Sequence, residues 1–268
     1  MKSDRSIKLT QKGLIQKTLQ ATDMIDCNPN SQPTAQAALG ADKDGEPLQE
    51  KWNYCAIVGM LLYLSTNTRP DIAFAVSQVA RFSNNLKKSH GTAIKTILRY
   101  LKKTHDKGTI IKPTEKFTLD IYTDADFCGN WLKRTAQHDV STAKSRTGYV
   151  ITLAGCPIVW ASKLQTSISL STMMAEFYAL STAMREVLPL RNRVQAVAEG
   201  FGIDPNCLTE FRTTVWEDNA GALALAKLDP GQHTARSKFF DSKVHWFWSM
   251  LKPNLIKVTK INSAVNLS

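Results

Sequence analysis

The sequence predicts an α/β protein, with one mixed sheet and flanking helices preceded by a small helical segment. Two observations predict it. The spacing of apolar residues is helical across residues 54–104 and becomes strand-like at about residue 117. From there the order of elements is three strands, a helix, a strand, two helices and a strand. That order is typical of a mixed α/β domain built on one sheet.

The helical segment is predicted from apolar residues that recur at helical spacing. A first helix begins near residue 53, and a second begins at "TRPD", with Thr68 as its N-cap and Pro70 in its first turn. A third helix covers residues 90–104, and its apolar side is formed by Ile94, Ile97, Leu98 and Leu101. Ahead of these helices, residues 27–50 have the Pro, Asn, Gln, Gly and Asp content of a loop or linker.

The sheet is predicted from five short runs rich in β-branched and aromatic residues, each bounded by turn residues. These runs are residues 117–123, 147–154, 156–162, 211–217 and 255–261. A tight turn at Ala154-Gly155 joins the second run to the third. Helices are predicted at residues 171–188, 219–227 and 238–251.

Composition narrows the classes of function. The 268 residues carry a formal net charge of +11, which favours a polyanionic partner, either nucleic acid or an anionic membrane surface. No apolar run approaches the roughly 20 residues that span a bilayer, and the N-terminus lacks a secretory signal, so we expect an intracellular protein without a membrane segment. The 5 cysteines show no C-x-x-C spacing, which argues against a structural zinc site.

Three acidic residues fall where the predicted sheet would bring them together. Asp124 lies at the end of the first strand, Glu176 one turn into the following helix, and Asp218 at the end of the fourth strand. Sites in open α/β sheets form at the carboxyl ends of strands. Carboxylate oxygens are the ligands that Mg²⁺ prefers, and such a cluster can hold two ions roughly 3.5 to 4 Å apart around a phosphodiester.

The residues alone leave each acid open to an ordinary role. Asp218 fits an N-cap of the Ala-rich helix, Glu176 fits a solvated acid in a first helical turn, and acids at strand ends are common turn residues. Asp124 and Asp126 share one face of their strand, because strand side chains alternate. Composition and periodicity therefore leave the function undecided between a phosphodiesterase and a basic binding module.

Basic residues are densest between Lys87 and Lys116, where nine lysines and arginines face only two acidic residues. Such a run is usually a solvated face. Here it lies on an amphipathic helix, so we expect it to contact the nucleic-acid backbone, which gives sequence-independent affinity. The candidate side chains are Lys95, Arg99, Lys102 and Lys103.

Seven stretches, in order, resemble the C-terminal part of the polyprotein of copia-type LTR retrotransposons, where the end of the reverse transcriptase is followed by a ribonuclease H domain. They are "VGMLLYLSTNTRPDIAFAVSQVARF", "HGTAIKTILRYLKKTHDKG", "YTDADFCG", "SRTGYVITLAGCPIVWASKLQ", "AEFYALSTAMRE", "EDNAGALALA" and "ARSKFFDSKVHWF". The resemblance covers the chain from about residue 54 onward. It implies a ribonuclease H-like mixed five-stranded sheet with flanking helices.

The resemblance also implies an organisation into three parts. Residues 1–52 would be the end of the reverse transcriptase and a linker, residues 53–112 a helical thumb or connection segment, and residues 113–268 a ribonuclease H-like domain truncated at its C-terminus. The chain would work with other parts of the polyprotein, in the cytoplasm or in a particle.

Site roles follow from the same resemblance. Asp124, Glu176 and Asp218 would bind two Mg²⁺ ions, for which Mn²⁺ can substitute, with a metal-bound water as nucleophile toward the RNA strand of an RNA/DNA hybrid. Asp126, the second Asp of the family's D-A-D, would support the site without binding metal.

The sequence departs from the family at several points. This sequence has "STMMAEF" where the family usually has S-S-T-E-A-E-Y, and "KFFD" where the family has K-H-I-D. The family's fourth catalytic Asp, expected after "INSAVNLS", and the paired aspartates of the polymerase motif do not occur in the sequence. The alternative hypothesis is therefore a degenerate fragment that binds nucleic acid without cutting it. An integrase has a similar sheet and carboxylates, but the thumb-like segment argues against it.

Overall fold

In a computed structural model, the part of the chain that the structure describes comprises residues 6–34, 39–131, 133, 139–203, 211–228, 232, 246–247, 251 and 256–268. The chain divides into two compact units. The helical unit contains Met1–Ile111, Gly129–Ala143 and Ala161–Lys163. The sheet unit contains Lys112–Cys128, Lys144–Trp160 and Leu164–Ser268.

The helical unit consists of four helices and a two-stranded antiparallel ribbon. In chain order its elements are β1 (Ile7–Leu9), α1 (Lys12–Ala21), α2 (Tyr54–Asn67), α3 (Ala73–Val79), α4 (Lys88–Lys103) and β2 (Thr109–Ile111). The predicted apolar side of α4 is confirmed, since all four of its residues are buried in a core shared with α1, α2 and α3. Burial of this side against three other helices stabilises α4 more than its own propensity does.

The junction between α2 and α3 differs from the prediction. Thr68 does not cap a new helix, because it ends α2 and its hydroxyl donates to Gln11 Oε1 at 2.6 Å. Pro70 instead opens a short 3₁₀ turn, Pro70–Ile72, whose N-cap position is occupied by Arg69. The Arg69 guanidinium is 1% exposed and pairs with Asp71 at 2.8 Å. This ion pair between the buried Arg69 and the partly exposed Asp71 lies at the turn, and its geometry could not be deduced from capping rules.

Residues 27–50 have the irregular structure that their composition predicts, but they are hydrogen-bonded to the helices. Across the described residues of this segment, side chains of the helical unit donate to main-chain carbonyls. Arg99 donates to Asn28, Lys102 to Cys27, and Lys87 to Gly45. Because these bonds recur along its length, the segment forms a strap against α4.

The sheet unit contains the predicted mixed five-stranded sheet. Its strands are β3 (Leu119–Asp126), β4 (Arg146–Leu153), β5 (Cys156–Leu164), β6 (Thr213–Glu217) and β7 (Ile256–Lys260), in the spatial order β5-β4-β3-β6-β7. β3 is antiparallel to β4 and parallel to β6, which is parallel to β7. The predicted turn between β4 and β5 is confirmed. Ala154 and Gly155 both have positive φ, 49° and 77°, as a two-residue hairpin loop requires.

Two helices of the sheet unit are described. α5 (Thr172–Gly200) begins where predicted, with the Ser171 hydroxyl accepting from the Met174 N–H, but it continues past Pro189 for eleven residues. The predicted end at residue 188 was therefore wrong. Arg191 explains the extension, because its buried guanidinium donates to Phe211 O and Thr213 Oγ1 and anchors the second half of the helix to β6.

α6 (Ala220–Ala226) agrees with the predicted Ala-rich helix. The helix predicted at residues 238–251 lies outside the described residues. None of the described helices combines the length and hydropathy needed to cross a membrane.

The Arg69–Asp71 pair makes the stability of the helical unit depend on pH. Burial alone would raise the pKa of Asp71, but hydrogen bonds from Arg69 and Tyr100 and the Arg69 charge bring that pKa below its usual 3.8. A depressed carboxyl pKa gives stability that is present above pH 3.8 and is lost as pH falls through the folded-state value.

We expect Asp71→Asn to lower the free energy of unfolding by about 2 kcal/mol at pH 7, because it leaves a buried guanidinium without its anion. The difference from the wild type should shrink below about pH 4. Urea unfolding between pH 3 and pH 7 measures this, with exposed Asp106→Asn as the matched control. An Asp71 variant that behaves like the Asp106 variant at every pH would contradict the prediction.

Candidate metal centre

The two aspartates of "YTDADF" lie at the end of β3. Burial alternates along this strand: Ile121, Thr123 and Ala125 are buried, whereas Asp124 is half-buried and Asp126 is exposed. The alternation places both aspartates on one face, as the sequence predicts. Asp124 is opposite Gly148 of β4, so the residue directly across from it has no side chain to crowd its carboxylate.

Glu176 reaches the same place from α5. Ala175 and Ala179 pack against Ala125 of β3, and these three small residues let the helix approach the strand closely. Glu176 is only 5% exposed, so it is not the solvated first-turn acid of the ordinary reading. Burial of an acid this deep calls for a partner.

Asp218 lies between the end of β6 and the start of α6. The cap of that helix is its neighbour Asn219, whose Oδ1 accepts from the main-chain N–H groups of Gly221 and Ala222 at 2.9 and 3.0 Å. Asp218 is therefore not the N-cap, and its carboxylate is left for another role. One carboxylate oxygen from each of Asp124, Glu176 and Asp218 lies within 4.8 Å of the other two.

Burial and mutual proximity disfavour the charged forms of Glu176 and Asp124. Burial, and then the charges of Glu217, Asp124 and Asp218, raise the pKa of Glu176 to about 9. Burial and the charge of Asp218 also raise the pKa of Asp124. Among the described residues, nothing donates a hydrogen bond to the buried Oε2 of Glu176. An orphaned carboxylate oxygen among crowded acids fits a hard divalent cation such as Mg²⁺ or Mn²⁺.

A fourth acid, Glu217, lies near the cluster, since its charge helps to raise the pKa of Glu176, and it was missed from sequence. It is fully buried, and burial raises its pKa to about 8. Its Oε2 accepts from the Thr123 hydroxyl at 3.0 Å and its Oε1 from the Asn219 N–H at 3.1 Å. The sequence feature that could have revealed Glu217 is the alternation along "TTVWE". It places Glu217 on the buried face of the strand with Thr213 and Val215.

The four basic side chains predicted to contact nucleic acid lie on α4 in the helical unit. Lys95 pairs with Glu50, and Arg99 and Lys102 donate to carbonyls of the strap. Lys103 is exposed. The structure thus places three of the four in contacts within the chain, and their contact with nucleic acid stays a prediction.

The strand order and the acids at the carboxyl ends of β3 and β6 define a ribonuclease H-like α/β domain. The chain belongs to the family of retrovirus-related Pol polyproteins of copia-type transposons. It is 33% identical over 271 residues to the Pol polyprotein of transposon TNT 1-94 from Nicotiana tabacum, covering 99% of this chain and 19% of that polyprotein.

A second relative is the Pol polyprotein of transposon RE1 from Arabidopsis thaliana, 33% identical over 257 residues, which cover 96% of this chain and 16% of that protein. The chain therefore spans less than a fifth of the length of these relatives. Among solved structures, the N-terminal RNase H domain of a Mycobacterium tuberculosis protein is similar with a TM-score of 0.32 and 13% identity, over 56% of this chain and 86% of that one. No family model matches the chain.

The raised pKa of Glu176 predicts how metal-free protein responds to pH. A carboxyl that keeps its proton in the folded state loses stabilisation as pH rises from 4.5 through about 9. Glu176→Gln removes this dependence, so we expect the variant to exceed the wild type in unfolding free energy by on the order of 2 kcal/mol at pH 8 in EDTA, and by much less at pH 5.

Chemical unfolding at the two pH values measures the effect, with exposed Glu199→Gln on the same helix as the matched control. Saturating Mg²⁺ should stabilise the wild type more than the Glu176 variant. A Glu176 variant that is equally stable to the wild type at pH 8 in EDTA would show that the acid is not under electrostatic strain.

Proposed function

We propose that the sheet unit is a ribonuclease H that cleaves the RNA strand of RNA/DNA hybrids with two divalent metal ions, as part of a retrotransposon reverse transcriptase. The observation that carries the proposal is the meeting of Asp124, Glu176 and Asp218 within 4.8 Å, one of them with a buried oxygen that lacks a donor. Membership of the Pol polyprotein family supports it.

Asp124, Glu176 and Asp218 are the residues that would hold Mg²⁺, or Mn²⁺ in its place. Bound divalent cations supply Lewis-acid stabilisation for the attack of water on the scissile phosphate and for the departing oxygen. Asp124 and Asp218 are half-buried, so a cation that they held would be within reach of a phosphate from solvent, whereas Glu176 is buried and would hold the cation from the inner side.

Asp126 supports the site from its edge in this proposal. It is the exposed last residue of β3 and lies opposite Arg146 of β4, which is buried. Its charge adds to those that raise the pKa of Asp124, although it contributes less than burial and Asp218 do. Asp126 therefore increases the negative potential that attracts cations without lying among the ligands.

The test is cleavage of a labelled RNA/DNA hybrid by the full chain in Mg²⁺. We expect the wild type to cut and Asp124→Asn to lose at least about 100-fold in rate, because removing a ligand removes several kcal/mol of transition-state stabilisation. Asp126→Asn, two residues away on the same face, should retain most of the activity.

A second function is favoured by one observation. Met173 and Met174 occupy positions where the family has Thr and Glu, and Met173 lies against α6 so closely that a Cβ at Gly221 would be 2.9 Å from its side chain. The replacement of two polar family residues by methionines at the start of α5 favours a degenerate fragment that binds nucleic acid without cutting it. Salt-sensitive hybrid binding with no cleavage by either the wild type or Asp124→Asn would establish that function and contradict the nuclease.

Nucleic-acid binding by α4 is proposed to depend most on Lys103, the exposed lysine at its C-terminal end. Because Lys95, Arg99 and Lys102 contact the chain itself, their charges add to the potential while Lys103 is free to reach a phosphate. We expect Lys103→Gln to weaken hybrid binding roughly 3-fold and to reduce the slope of log K against log salt by about 1.

Fluorescence anisotropy across a salt series measures both quantities. Lys43→Gln, on the strap and also exposed, is the matched control for a loss of one positive charge. Equal slopes for the two variants would mean that α4 does not contact the phosphates.

A further inference from the structure

Glu217 connects the two main-chain segments that carry Asp124 and Asp218. Its Oε2 is bonded to the hydroxyl of Thr123, the residue before Asp124. Its Oε1 is bonded to the N–H of Asn219, the residue after Asp218. One buried side chain thus contacts a neighbour of each aspartate.

The position of these bonds matters because the main-chain pairing stops just before them. β3 and β6 pair from Leu119 with Thr213 to Tyr122 with Trp216, and the register ends there. β3 continues to pair with β4 up to Asp126, and Glu217 pairs with Lys260 of β7. Beyond Trp216 each strand is therefore held by its outer neighbour. Glu217 supplies a side-chain link between the two strands, next to the contact of the Thr123 hydroxyl with Trp216 O at 3.3 Å.

We propose that Glu217 is a positioning residue of the metal centre, whose bonds to Thr123 and Asn219 fix the spacing of Asp124 and Asp218 beyond the end of the β3–β6 ladder. This inference rests on the proposed function, since it assumes that the aspartates bind metal. The groups that orient metal ligands usually change metal affinity by 10- to 100-fold when they are removed.

If Glu217 only stabilised the fold, replacing it would lower the free energy of unfolding. A buried acid is costly, and an apolar side chain of similar length in its place is often neutral or stabilising. A variant that keeps or gains stability while losing metal affinity therefore distinguishes positioning from folding.

The experiment measures Mn²⁺ dissociation constants of the full chain by electron paramagnetic resonance, without nucleic acid. Glu217→Met keeps the length of the side chain and removes both acceptors, and Thr123→Val removes the hydroxyl. We expect each to weaken Mn²⁺ binding at least about 10-fold. The double variant should bind Mn²⁺ no more weakly than Glu217→Met alone, because Thr123→Val breaks a bond that Glu217→Met has already removed.

Two conservative variants are the matched controls. In Glu217→Gln the amide oxygen can accept from Asn219 and the amide nitrogen can donate to Thr123, whose hydroxyl then donates to Trp216 O, already 3.3 Å away. Thr123→Ser keeps the hydroxyl. Both should bind Mn²⁺ within about 3-fold of the wild type. Unfolding in EDTA, run on all variants, reports their stability independently.

Three outcomes would overturn the inference. Wild-type affinity in Glu217→Met and Thr123→Val would show that the link is dispensable, while leaving the metal centre intact. Equal losses in Glu217→Gln and Glu217→Met would show that charge and not geometry matters. Absence of Mn²⁺ binding by the wild type, with Asp218→Asn indistinguishable from it, would overturn the metal centre and this inference together.

Discussion

Repulsion among carboxylates at one edge of the sheet is the constraint on which the sheet unit depends. Burial, and then the charges of Glu217, Asp124 and Asp218, raise the pKa of Glu176 to about 9, so the charged form is unfavourable where the fold holds it. The fold enforces the contact through close packing, since Ala125, Ala175 and Ala179 bring α5 against β3. Larger side chains at these positions would relieve the repulsion by moving the helix away, and would remove the site with it.

The stability that opposes this repulsion lies elsewhere in the unit. Ile121, Ile151 and Val215 are fully buried in adjacent strands, which gives the sheet an apolar centre that needs nothing from the acidic edge. The far half of α5 is fixed by Arg191, well away from Glu176. A scaffold stabilised at its centre and at a remote anchor can carry an unfavourable edge.

Much of this arrangement was predictable from the sequence because its signals are local. The strand period predicts all five strands, and the acids at strand ends predict the cluster of Asp124, Glu176 and Asp218 without help from the resemblance. The errors have tertiary causes. The continuation of α5 past Pro189 depends on Arg191, which finds its acceptors on β6, and Glu217 was overlooked because proximity to Thr123 arises only after the strands pair. Spacing along the chain cannot show such contacts.

The basic side chains of α4 show that net charge does not determine which cations are available for direct contacts. A charge of +11 favours a polyanionic partner, yet Arg99 and Lys102 donate to the strap carbonyls of Asn28 and Cys27, and Lys95 pairs with Glu50. Cations that satisfy main-chain carbonyls still contribute to the long-range potential, but they are less available for direct bonds to phosphate. The number of lysines on a helix therefore predicts the sign of the electrostatic potential better than it predicts the contacts. The contacts depend on which hydrogen bonds and ion pairs those side chains already make within the chain.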